Sequence, residues 1–259
     1  MPRLTPLLRP AGLLLAAVGV SVTAALSPFT APLAAQSVPA SAYDDYRFRH
    51  VGPEGNRAIA ALSIPGDPLT WWVGAASGGV WKTEDGGASW RPTFDDHDVQ
   101  SIGSLALAPT APNEVWAGTG ETFLIRPAVA MGNGIYKSID GGERWEHKGL
   151  EPTGRIGRVV VHPRDADVVY ACALGHAYGP QQERGIYRTT DGGDTWEQVL
   201  FVDEGTGCAD LAIDPSRPDI LVAGMWSLQI DPWKLASEGT GGGVYMSRDG
   251  GDSWDCLLY

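Results

Sequence analysis

Four stretches of this chain are copies of one eight-residue pattern, and no other feature restricts its fold as strongly. "TEDGGASW" from Thr83, "SIDGGERW" from Ser138, "TTDGGDTW" from Thr189 and "SRDGGDSW" from Ser247 all read Ser/Thr-x-Asp-Gly-Gly-x-x-Trp. Their aspartates, Asp85, Asp140, Asp191 and Asp249, recur 55, 51 and 58 residues apart. The flanks repeat in step. Each box follows a short strand ("GVWKT", "GIYKS", "GIYRT", "GVYMS") with Trp81, Tyr136, Tyr187 and Tyr245 in register. Upstream, an apolar strand ends in a turn holding Pro65, Pro109, Pro163 or Pro215, and a second strand follows. With the strand that the box tryptophan opens, the unit has four strands, A to D. Repeats of about 50 residues made of four short strands are what propeller blades look like. The expected fold is therefore all-β: a propeller of four-stranded antiparallel blades over residues 43–259, with blades near 57–95, 101–150, 155–202 and 207–256.

Each residue type in the box has a physical task. An Asp at a turn start can accept main-chain N–H groups one to three residues on, and paired glycines allow the positive φ of a tight hairpin. Trp90, Trp145, Trp196 and Trp254 offer large apolar faces for packing between neighbouring sheets. The box thus reads as a folding clasp. It lacks the alternating carboxylates of a calcium loop, so no metal or cofactor is expected.

Antiparallel strands reverse at every turn, which puts the A to B turns and the boxes on one face and the B to C and D to A loops on the other. The first set is short and uniform. The second varies from almost nothing in blade 1 to "SLQIDPWKLASEGTGG" in blade 4. Variable loops on a rigid scaffold are where ligand contacts concentrate. The candidate ligand-binding residues are Arg57 before strand A of blade 1, Glu121 and Arg126 in blade 2, and His176 and Arg184 in blade 3, with Glu54, Asn56 and Glu183 beside them. Blade 4 adds Trp226, Asp231 and Trp233, an aromatic and carboxylate combination suited to sugar or peptide. The "DDHD" run from Asp95 to Asp98 reads as a solvated loop, since one His among adjacent carboxylates lacks metal-site spacing.

Charge narrows the partners. Lys and Arg total 19 against 31 Asp and Glu, a net charge of -12, with no cluster of four or more cations. Nucleic acid and anionic membrane are therefore not expected partners. The first 42 residues carry Arg3 and Arg9, an uncharged apolar run from Ala11 to Leu26, then small residues. This is a secretory signal and linker, with cleavage expected after Ala35 or at Ala40-Ser41-Ala42. The run is shorter than the about 20 residues of a membrane span. No second such run follows, so no span is expected after cleavage, and the destination is periplasm, cell surface or medium. Of Cys172, Cys208 and Cys256, the first reads as a buried strand residue within "VVYACAL", with a Cys172 to Cys208 bond as the alternative.

At the box residues the chain resembles the Asp-box, or bacterial neuraminidase repeat, propellers. It looks most like the exported bacterial proteins related to the sortilin ectodomain, often labelled glycosyl hydrolases. The resemblance spans about Tyr46 to Trp254 and includes "FRHVGPEG", "ASGGVWKTEDGG" and "ERGIYRTTDGG". It implies either a binding module for peptide, protein or glycan, a glycoside hydrolase, or an envelope assembly scaffold. Sialidases of this kind carry an Arg-Ile-Pro motif, and here His50 and Val51 follow Arg49. Xyloglucan-cleaving relatives place a catalytic Asp in a "TDVGGAYR"-like stretch, and "AASGGVWK" puts Ala76 there. No family catalytic residue is recognisable, which favours the binding module. Members of this group usually have more than four blades, and no closing strand follows Trp254, so the sequence reads as part of a larger propeller.

Overall fold

In a computed structural model of the chain, residues 39, 41, 57–122, 130–231 and 233–258 are described. The expected signal segment apart from residues 39 and 41 lies outside them, as do Glu54, Asn56 and Arg126. All elements below belong to the unit that runs from Arg49 to Tyr259.

The strands fall into four four-stranded antiparallel sheets, each in sequence order from the inside outwards, and one two-stranded sheet. The first sheet holds β1 (Ala58–Ser63), β2 (Trp71–Ala75), β3 (Val80–Thr83) and β4 (Arg91–Pro92). The second holds β5 (Ile102–Ala108), β6 (Ala111–Thr119), β7 (Ile135–Ser138) and β8 (Glu146–His147). The third holds β9 (Ile156–Val161), β10 (Val169–Ala173), β11 (Gly185–Thr189) and β12 (Glu197–Leu200). The fourth begins with β13 (Thr206–Ile213) and β14 (Leu221–Ser227), is interrupted by a separate hairpin of β15 (Gln229–Asp231) and β16 (Lys234–Ala236), and resumes with β17 (Gly243–Ser247) and β18 (Asp255–Leu258). Strands β1, β5, β9 and β13 are neighbours. Their residues, including Ala60, Ser104, Arg158 and Asp210, line an axial cavity of about 330 Å³.

The four boxes are superimposable in chemistry. In each, the Ser or Thr hydroxyl donates to the box Asp at 2.7–2.8 Å and accepts the amide of the second glycine at 2.8–3.0 Å. The Asp also accepts the amide four residues on, that of Ser89, Arg144, Thr195 or Ser253, at 2.9 Å. Both glycines of every box have φ between 70° and 98°, which side-chain-bearing residues rarely adopt. The first glycine donates its amide to the start of strand B of its own blade, at Leu69, Asn113, Asp167 or Asp219. Boxes and A to B turns therefore share one face.

Packing is between blades. One apolar cluster joins blades 1 and 2 through Trp72, Phe94, Ile102 and Trp145. A second joins blades 2 and 3 through Trp116, Ile156 and Val159, and a third joins blades 3 and 4 through Tyr170, Ile186, Leu211 and Leu221. A strand-B aromatic reaches under the next blade's box at every junction. Trp72 Nε1 donates to Gly141 O at 3.1 Å, Tyr170 OH donates to Gly250 O at 2.8 Å, and Trp116 packs edge-on to Trp196 at 6.3 Å. A Cβ on Gly193 would come within 2.8 Å of the Trp116 ring, so this glycine is required by space as well as by φ. Ion pairs follow the same direction: Lys82 to Glu143 at 2.8 Å, Lys148 to Asp194 at 3.1 Å and Arg188 to Asp252 at 2.7 Å, each acid standing next after a second box glycine.

One cysteine expectation is corrected. Cys172, fully buried on β10, is bonded to Cys208 on β13, with Cα atoms 5.0 Å apart. The two positions are 36 residues apart and in different blades, and only the stacking of β13 beside β10 brings them together. Cys256 is free and exposed on the outer strand.

Candidate functional site

The fourth blade differs from the others in its B to C connection, and the difference builds a cavity. Instead of an irregular loop, β15 and β16 pair as a hairpin, Gln229 opposite Ala236 and Asp231 opposite Lys234. Ile230 packs in a small apolar cluster with Ala177 and Leu228, and Ala236 is buried as well, while Trp233 at the tip is 86% exposed and Leu235 is 55% exposed. Tyr178 of blade 3 forms an isolated parallel bridge with Ile230 and is itself 54% exposed. Exposed rings set on anchored backbone lose little freedom when they bind a ligand, because their supports are already packed.

Below the hairpin lies a cavity of about 550 Å³. Gly179 and Pro180 line it from blade 3, Asp203 and Gly205 from the connection into blade 4, and Ser227, Gln229, Asp231, Glu238 and Thr240 from blade 4. Gln229 Nε2 donates to Asp231 at 3.2 Å, which presents both side chains as one polar surface. A second hollow, of about 400 Å³, lies along His176, Tyr178 and Gln181 and shares Pro180. Carboxylates and amides beside exposed rings can hydrogen-bond sugar hydroxyls while the rings cover apolar sugar faces.

The other sequence candidates occupy different places. Arg57 is ion-paired with the fully buried Glu121 across the first junction, so this pair ties blade 1 to the blade 2 loop. Arg184 is 1% exposed and donates to four carbonyls, those of His176, Gly179, Gly205 and Leu228, at 3.0–3.3 Å. Arg155 is also fully buried and donates to Gly175 O at 2.6 Å and His176 O at 3.2 Å. Burial and the neighbouring Arg184 push the Arg155 guanidinium down to about 10, and burial likewise lowers Arg184. Trp226 is half-buried, lines the axial cavity and donates to Ser237 Oγ at 2.6 Å. His97 of the "DDHD" run stacks on Phe94 and Tyr136 with centroids 4.5 and 4.8 Å apart, and its burial lowers its pKa. Among the described residues no group of His, Cys, Asp or Glu is placed to hold a metal ion, and no helix is long and apolar enough to cross a membrane.

Residues 133–258 match the family described as Sortilin, neurotensin receptor 3. A xyloglucanase of Acetivibrio thermocellus is 27% identical over 204 residues, which cover 70% of this chain and 23% of that enzyme. An oligoxyloglucan-reducing end-specific xyloglucanase of Emericella nidulans is 24% identical over 241 residues, 79% of this chain and 27% of the other. Among solved structures, an ancestral GH74 enzyme aligns with a TM-score of 0.59 at 22% identity, covering 78% of this chain and 26% of that one. The GH74 xyloglucanase from Xanthomonas campestris aligns at 0.58 and 19% identity, covering 82% and 32%. The chain is a β-propeller. This propeller is similar to xyloglucanases over most of its length and to the sortilin family over its second half, and it spans about a quarter of the length of the curated relatives it matches. Ala76, the position aligned by resemblance with a catalytic aspartate, is fully buried at the end of blade 1's strand B and donates its amide to Arg57 O.

Proposed function

We propose that this propeller is an exported carbohydrate-binding protein whose loop face holds a neutral β-glucan chain without cleaving it. The observation that carries the reading is the blade 4 hairpin, which exposes Trp233 two residues from Asp231, itself part of the lining of a cavity with Gln229, Glu238 and Thr240. Similarity to xyloglucanases supports the ligand class, and Ala76 in place of a catalytic carboxylate supports binding over hydrolysis. Three carboxylates in the cavity repel uronic acid polymers, so selectivity follows from charge as well as shape. The inter-blade disulfide supports export, since such bonds persist in oxidising compartments.

Retention on immobilised xyloglucan, mixed-linkage β-glucan and polygalacturonate tests this. Retention by the two neutral polymers, lost in Trp233→Ala, is expected. Failure on both neutral polymers sinks the reading. A second reading, hydrolysis, is favoured by Asp203, Asp231 and Glu238 sharing one cavity. Release of reducing ends that disappears in Asp231→Asn would replace binding with catalysis.

A further inference from the structure

The candidate cavity is assembled from three separate segments: the blade 3 loop around Gly179, the connection around Gly205, and the start of the blade 4 insertion at Leu228. One side chain reaches all three. Arg184 Nη1 donates to Gly205 O at 3.0 Å and to Leu228 O at 3.3 Å, and Nη2 donates to Gly179 O at 3.2 Å and to His176 O at 3.3 Å. Gly179, Gly205 and Leu228 are themselves cavity-lining residues, so the guanidinium sits directly behind the wall.

We infer that Arg184 is the positioning residue of this site, a buried cation that fixes the three wall segments relative to one another without touching the ligand. This deepens the proposed carbohydrate site and rests on that reading for its ligand, but not for its mechanics. A guanidinium cannot discharge by losing its proton, and burying one without partners is costly. Leaving any segment would strand a donor, so its four carbonyls are held as a set. The planar fork matters: a lysine ammonium has its three donors on a single nitrogen and cannot span carbonyls on three segments. The segments also bond to one another, Gln181 N to Glu204 O at 3.0 Å and Leu228 N to Gly205 O at 3.1 Å, and these two amides report the wall's integrity. Arg155 supplies an internal control. It reaches only Gly175 and His176, on the blade 3 loop alone.

Hydrogen exchange on the full chain, comparing wild type with Arg184→Lys and Arg155→Lys, decides the matter. In Arg184→Lys the Gln181 and Leu228 amides both exchange faster while box amides such as Gly142 and Gly193 keep their protection, and xyloglucan affinity falls about tenfold, as expected when a site's supporting groups loosen. In Arg155→Lys the Leu228 amide keeps its wild-type rate. Unchanged exchange at both amides in Arg184→Lys, or equal acceleration over the box face, overturns the assignment. Should that variant not fold, native-state exchange of wild type in rising denaturant serves instead. Gln181 and Leu228 opening as one unit below the global transition supports the inference, and independent opening refutes it. Correct exchange behaviour without any xyloglucan binding would sink the ligand reading and leave Arg184's role standing.

Discussion

The two faces of this propeller are built from the same strands by opposite rules. On the box face the four boxes share one set of core hydrogen bonds to within a few tenths of an ångström, and the boxes of blades 2, 3 and 4 are each gripped by an aromatic of the preceding blade. On the loop face the connections differ in length and sequence, and the longest folds into a hairpin of its own. The box face clasps each turn with its own hydrogen bonds and joins blade to blade through apolar contacts, two aromatic hydrogen bonds and ion pairs, so it secures the stack. The loop face joins segments through buried arginines and leaves Trp233, Leu235 and Tyr178 in solvent. Similar side chains thus do different work: a box tryptophan is a wedge between sheets, whereas Trp233 is a surface offered outwards.

Four experiments would break or sharpen that contrast. The largest effect is expected for Trp116→Ala, which removes a fully buried ring from the blade 2 to 3 junction. Large-to-small core changes of this kind cost about 3–5 kcal/mol, readable in urea unfolding. A loss below about 1 kcal/mol would mean the junctions do not carry the fold. Next comes the disulfide. Replacing Cys172 and Cys208 together with alanine should cost about 3–4 kcal/mol, because the bond closes a loop of 36 residues in the unfolded chain.

The third concerns acid. Glu143 is pulled from 4.5 down to about 2, first by its hydrogen bond from Arg91 and also by Lys82, and Asp249 is lowered to about 2, first by its bond from the Ser253 hydroxyl. Groups depressed in the folded state stabilise it above their unfolded pKa and lose that contribution as pH falls towards the folded value. Unfolding midpoints should therefore decline between about pH 4.5 and 2, less steeply in Glu143→Gln. An identical pH profile in that variant would remove the junction ion pairs from the account. The smallest stability effect belongs to Trp233→Ala, within about 0.5 kcal/mol because the ring is exposed, although glucan retention should disappear. A large destabilisation there would make the hairpin tip a part of the core.

Legibility followed the same division. Trp145 and Gly142 could be read from sequence because the repeat states their surroundings four times over. Glu121 could not: only the fold shows that Arg57, 64 residues earlier, neutralises it. The burial of Arg155 and its carbonyl partners could not be read from the sequence, since an arginine before a strand has the same local context whether it faces solvent or a buried loop. For Cys172 the apolar strand around it was visible, but the bond to Cys208 was only the alternative reading, since nothing local places β13 beside β10.

By itself the sequence determined the strand content, the turn chemistry and the direction in which blades repeat, because those depend on contacts within about 50 residues and recur four times. The tertiary structure decided which loops meet, which arginines are buried beneath them and that two cysteines of different blades are bonded. These depend on the stacking of blade on blade, a through-space relation that local spacing does not encode.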